Sequence, residues 1–495
     1  MALMKYIRPL CLAFCVLLFS AAQAQSYQDR FEKFNEQADT KYNDFRDKAN
    51  KEYANFLRQT WTVFKPNAPI QKPKEKRVPP VIAAPKDSVS SNIFIEIKPK
   101  VVDIVEPPVV LEQPVPVVAI EEIPVSVSRK VVTTDCWGTS FRIRFSDEQR
   151  FSLNGCGNDE VARAWEKMSE KSYNNTILDC LELRKEHALN DWTYLNLLYA
   201  FSKEIFGVDT NEAMLLTGYL FCQSGYKVRF GRSGEEILML FSTQHCIYGK
   251  SCYVIEGDYF YVFDKSVEDR LEICPGSYPK ETPLSLLIHE QPILELSASQ
   301  PRVLTSSAYP DMRVNIKINE NIVNLCSEYP SSFIDNDFMT RWAMYANAPL
   351  ADDVRDSLYS QLKCHIADCT QLEAVSKLLN WVQTAFVYEY DDNVWGDDRP
   401  FFAEETLFYP YCDCEDRAIL LSHLVRDLVD LDVILVYYPG HLAMAVAFTD
   451  DVKGDHIMVE NRKFVICDPT FINASVGRSM PGLETDEICV IKLNK

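Results

Sequence analysis

Residues 411–429 constrain this chain more than any other stretch. Tyr411-Cys-Asp-Cys-Glu-Asp-Arg-Ala418 runs directly into an apolar pattern in which Ala418, Leu421, Leu424, Val425 and Leu428 recur at helical spacing. Asp413 suits the N-cap, and Glu415 and Asp416 suit the positive end of the dipole, so Cys414 takes the first helical position. Three strands are predicted to follow: Val433 to Tyr438, His441 to Phe448 after a Pro439-Gly440 turn, and Lys463 to Asp468, which ends at Asp468-Pro-Thr470. If the last two pair antiparallel, His441 at the start of one lies beside Asp468 at the end of the other. The helix N-terminus then presents Cys414 to the imidazole.

That order of residue types is the chemistry of a thiol nucleophile. Unpaired N–H groups at a helix N-terminus favour a thiolate, while the carboxylates flanking Cys414 oppose it. A histidine supplies the base, and a carboxylate fixes its tautomer. Cys412 is a competing thiol, but it lies outside the helix and out of register.

The runs DCEDRA, YPGHLAMAVAF and FVICDPTF, in that order, resemble the core of the transglutaminase-like superfamily with its papain-like cysteine-catalytic fold. The resemblance covers about residues 350 to 480. It implies an exported bacterial member in which Cys414 is the nucleophile, His441 the general base and acid, and Asp468 the residue orienting the histidine. It also implies acyl transfer on a peptide or protein substrate, ending in hydrolysis as a cysteine peptidase or amidase, or in amine transfer as a transglutaminase. A non-catalytic scaffold on the same fold is the remaining alternative. The resemblance does not settle the oxyanion hole, for which the Cys414 N–H and an indole N–H from Trp395 or Trp381 are the candidates. Neither a cofactor nor a metal is called for. Cys364-His365-x-x-x-Cys369 lacks partner ligands, and Asp391-Asp392 with Asp397-Asp398 reads as a solvated acidic loop.

The expected organisation is α+β, a papain/transglutaminase-like core present twice behind an amphipathic helix and a Pro-rich linker. Residues 1–24 read as a signal peptide, with Lys5 and Arg8 before an apolar run and Ala22-Gln-Ala24 at the cleavage point, which implies export to a periplasmic or extracellular space. Residues 25–64 repeat every 11 residues, placing Phe31, Tyr42, Tyr53 and Phe64 at one position and Phe34, Phe45 and Phe56 at another. Eleven residues close on three turns at about 3.67 per turn, so the aromatic stripe stays on one side of a long helix. Such a helix packs on the body, self-associates or docks on an envelope partner. Residues 65–128, rich in proline, read as an extended tether, with an edge strand as the alternative.

Residues 129–270 repeat the second half in outline: a helix from Met214 to Cys222, then strands near Tyr226, Ile237 and Tyr259-Asp264. Ala213 to Asp264 spans 51 residues and Ala418 to Asp468 spans 50. In that register Asp209 stands for Cys414, and Gly234 or Glu235 for His441, so the first copy lacks nucleophile and base. Residues 271–345 read as a connecting β-rich segment, with strands at Leu294-Ser297 and Arg313-Ile318, and 346–495 as the catalytic domain. A net charge of −20 disfavours nucleic acid and anionic membrane as partners. Of 16 cysteines, 14 follow the leader, and Cys246/Cys252, Cys364/Cys369 and Cys136/Cys156 are candidate bridges.

Overall fold

The computed structural model describes residues 45–74, 94–109, 113–116, 120–123, 130–265, 267 and 269–494. The signal-peptide reading and the first repeats of the aromatic helix lie outside them. The fold is mixed α+β, about 35% helix and 25% strand. Its frame is two six-stranded sheets, each with a central helix across one face.

In the second sheet the order is His456–Val459, Arg462–Cys467, His441–Ala447, Asp432–Tyr438, Glu487–Lys492 and Val101–Val105. The first four strands are antiparallel: short turns close two hairpins, one through Pro439-Gly440 with Gly440 at φ 81°, and the hairpins meet where His441–Ala447 pairs with Arg462–Cys467. His441–Ala447 is buried along its whole length. Leu442, Met444 and Val446 face the helix, whereas Ala443, Ala445 and Ala447 face a second apolar layer with Ile434, Val436, Ile457 and Val490. A sheet covered on both faces explains why this strand is continuously apolar. The helix Cys414–Val429 lies on the inner face and buries Ile419 and Leu420 as well as the expected stripe. The helices Thr340–Asn347, Asp352–Ile366 and Gln371–Ala385 close over it.

The first sheet runs Cys252–Ile255, Asp258–Val262, Glu236–Ser242, Val228–Ser233, Leu271–Ile273 and Thr62–Phe64. Its central helix is Asn211–Gln223. Taken strand by strand, this is the same chain order across the sheet as in the second. The outermost strand differs: Thr62–Phe64 pairs antiparallel and Val101–Val105 parallel.

Several expectations are corrected. The aromatic helix stops after residue 58, and Thr62–Phe64 becomes an edge strand. Its described part, residues 45–58, packs on the body of the chain through Tyr53, whose ring centroid is 4.5 Å from that of Trp165, and through Leu57 and Trp61. The proline-rich stretch is not a free tether where it is described. Val101–Val105 pairs with Glu487–Lys492, because the Val-rich run between prolines can complete a ladder on an open edge. In the connecting segment Leu294-Ser297 forms no strand. Arg302–Thr305 and Arg313–Ile316 pair instead, followed by the helix Glu320–Ser327. All 14 cysteines described are unbridged, and most of them, such as Cys180, Cys222 and Cys467, are buried in apolar core.

Candidate active site

Cys414 is the first residue of its helix, and Asp413 the N-cap, as the sequence predicts. Asp416 accepts from the Asp413 backbone N–H at 3.2 Å and from Phe401 N–H at 2.9 Å, fixing the turn that enters the helix. A parallel pair of short strands, Val387–Tyr388 and Tyr411–Cys412, brings Tyr388 alongside.

The register Met444↔Cys467 carries His441 to the end of the aspartate strand. There His441 Nε2 lies 2.9 Å from Asp468 Oδ2, both side chains about 1% exposed. Asp468 Oδ1 accepts from the Thr470 and Phe471 N–H groups at 2.9 and 3.2 Å, so the carboxylate is held from both sides. With Nε2–H donated to Asp468, Nδ1 is the nitrogen left to act as base. The backbone of Leu442, one residue past His441, hydrogen-bonds the Cys414 sulfur. Cysteine and histidine strand therefore meet at one point, and Cys414 lines a cleft of about 760 Å³ with Tyr388, Tyr390 and Gly440.

Electrostatics at the thiol run against a resting thiolate. Burial pushes the Cys414 thiol well above its ordinary value, and Glu415 and Asp413 push it further. The Cys414 S–H donates to Glu415 Oε2 at 3.0 Å. Asp391 is raised to about 8 by burial and then by Glu415, and burial also raises Asp398, Asp413 and Asp416. The expected solvated loop is thus folded into the site: Asp391 is buried, and its Oδ2 accepts from Arg399 N–H at 2.6 Å. Among the described residues, Asp391, Asp413 and Asp416, and likewise Asp391, Asp398 and Glu415, bring donor atoms within 4.8 Å of one another, a spacing able to hold a cation.

Two buried residues missed in the sequence reading lock the triad's supports together. Arg417, fully buried, donates to the carbonyls of Gln383 (3.2 Å), Pro469 (3.4 Å) and Phe386 (3.0 Å) and to Cys412 Sγ (3.5 Å). Gln383 Nε2 reaches the carbonyls of Asp468, Phe471 and Ala474 at 2.9–3.1 Å, and its Oε1 accepts from Asn473. A polar residue within an apolar helical stripe was the available signal for both. Trp381 is eliminated as an oxyanion donor, since it is fully buried with its indole N–H on Leu304 O at 3.4 Å. Trp395 packs against Arg399, Phe401 and Tyr409. Cys412 is buried, its sulfur takes a hydrogen bond from Arg417 Nε, and it is not among the residues lining the cleft, which separates it from Cys414 as a candidate nucleophile.

In the first module, helix position and strand register place Asn211 where Cys414 stands, Glu236 where His441 stands and Asp264 where Asp468 stands. The earlier alignment on Asp209 and Gly234 or Glu235 is therefore shifted by one or two residues. Asn211 Oδ1 accepts from Ile237 N–H at 2.8 Å, the counterpart of the Leu442 contact to Cys414. Asp264 accepts from Tyr199 OH at 2.7 Å instead of facing an imidazole. No family model matches this chain, and no curated protein matches its sequence.

Proposed function

We propose that this protein is a cysteine-dependent acyl-transfer enzyme of transglutaminase-like type that hydrolyses peptide or amide bonds through Cys414, His441 and Asp468. The observation that carries it is the buried His441–Asp468 pair at 2.9 Å, set one residue from the backbone group that holds the Cys414 sulfur at the wall of an open cleft. Because the resting thiol is neutral, attack is base-assisted rather than run from a preformed ion pair. His441 Nδ1 takes the thiol proton as sulfur bonds to the carbonyl carbon, and the imidazolium is stabilised by Asp468. The imidazolium returns the proton to the departing amine; water, deprotonated by His441, then adds to the thioester carbon, and the C–S bond breaks to release the acid as His441 returns that proton to the Cys414 sulfur. The Cys414 backbone N–H at the helix start faces the developing oxyanion. The first module reads as a copy of the same fold whose nucleophile became Asn211 and whose base became Glu236. It braces the active copy rather than reacting.

A second reading, a non-catalytic binding protein, draws on the carboxylates that keep Cys414 protonated. One experiment separates the two. Alkylation of Cys414 by iodoacetamide is followed by peptide mass spectrometry across pH in wild type, His441→Ala and Asp468→Asn, alongside hydrolysis of a peptide library. The enzyme reading expects cleavage that vanishes in Cys414→Ala, and alkylation that slows in both other variants. Cys414 as inert as buried Cys467, with no cleavage, assigns the protein to binding.

A further inference from the structure

Six carboxylates line the cleft over Cys414: Asp391, Asp392, Asp397, Asp398, Asp413 and Glu415. Among the described residues the lining sets two cations against them, Lys72 and Lys74. The inner tier is largely committed. Asp391 accepts from Arg399 N–H, and Asp398 is held at 2.9 Å by the guanidinium of Arg341. Of the others, Asp397 meets Lys72 and Glu415 Oε2 accepts from the Cys414 thiol, whereas one buried oxygen is left over. Asp413, only 8% exposed and lining the cleft beside the Glu415 carboxyl, keeps its Oδ1 buried with no N–H donor among the described residues. A buried carboxylate oxygen left unsatisfied is costly unless a donor arrives with a ligand.

The chain itself shows which donor fits. Residues 67–74 cross from the first module to the cleft: Asn67 N–H bonds to Cys252 O at 2.7 Å, and Ile70 O accepts from Gly249 N–H at 2.9 Å. At the end of this strap the Lys72 ammonium sits 3.3 Å from Asp397 Oδ2 and donates to Asp398 O. A primary ammonium is thus already seated on the acidic wall.

We propose that the cleft recognises a basic side chain, a lysine or arginine flanking the amide that reacts, and that Lys72 occupies the same wall as an intramolecular competitor. The word amide rests on the function proposed above, whereas recognition of the cation does not. A bound metal fits the observations less well, because the buried oxygens of Asp391 and Asp416 already serve backbone N–H groups, while the exposed Asp397 already holds an ammonium.

The test uses full-length Cys414→Ala protein and fluorescence anisotropy with three labelled alanine pentapeptides carrying lysine, glutamine or glutamate at the centre. The lysine peptide is expected to bind about tenfold tighter than the glutamine peptide, the worth of one partly buried ion pair, with glutamate weaker still. Lys72→Ala should tighten the lysine peptide severalfold, and Asp397→Asn should erode its advantage. Equal affinities for the three peptides, or no effect of Lys72→Ala, overturn the proposal. So does loss of the lysine preference in calcium chloride but not in sodium chloride of equal ionic strength, which would assign the wall to a metal. A retained lysine preference in a protein whose Cys414 neither alkylates nor cleaves would support recognition while sinking catalysis.

Discussion

Replacing Glu415 with glutamine should make Cys414 a faster nucleophile. Glu415 Oε2 lies 3.0 Å from the sulfur in a buried site. At an effective dielectric of about 20, two unit charges at that distance repel by about 5.5 kcal/mol. Glutamine keeps the size and a hydrogen-bonding carbonyl but not the charge. The difference between a charge-assisted and a neutral hydrogen bond, about 1.4 to 2.7 kcal/mol once solvent response is included, is the better measure. It corresponds to about ten- to a hundredfold more thiolate at a given pH. Nucleophilicity falls as a thiol becomes more acidic, with a Brønsted exponent of about 0.45, so the net gain in alkylation rate is about four- to thirteenfold. Iodoacetamide labelling read by mass spectrometry, with exposed Cys364 as internal reference, measures it directly. An unchanged or slower rate at Cys414, with Cys364 constant, would refute the argument. Glu415 would then be helping to deprotonate the thiol rather than opposing its ionisation.

Two further outcomes follow from buried polar groups. Asp391 is raised to about 8 and Glu404 to about 7, both mainly by burial, so the folded form holds protons the unfolded chain releases. Stability therefore falls as pH rises from about 4 towards 8, and Asp391 alone accounts for about 2 kcal/mol between pH 6 and pH 8; thermal melts should show the slope, reduced in Asp391→Asn. Arg417→Met should cost about 2–4 kcal/mol in urea unfolding, because it strips donors from three buried carbonyls, and a loss under 1 kcal/mol would show that water replaces the guanidinium there.

Much of the second module was legible. A cap, an apolar period and three short runs separated by turn residues specify helix and strands locally, and since the register Met444↔Cys467 extends to Ala443 opposite Asp468, the even spacing of a strand puts His441 on the same face as Asp468 once the two strands pair. What was not legible needed long-range pairing. The Val-rich stretch Val101–Val105 became a strand only because Glu487–Lys492 left an edge open, nearly 390 residues away. Thr62–Phe64 left its helical repeat for the same reason at the other sheet.

The sequence by itself determined which residue types sit at the helix start, at the strand start and at the strand end, since propensity and periodicity act over a few residues. Only the tertiary structure decided their electrostatic setting. Asp391 and Asp398 stand on a loop that reads as solvated, yet packing carries them to Cys414 and strips their water. Charge placed by folding, felt through a low-dielectric interior, has no signature in local sequence, and here it decides whether the thiol rests neutral or ionised.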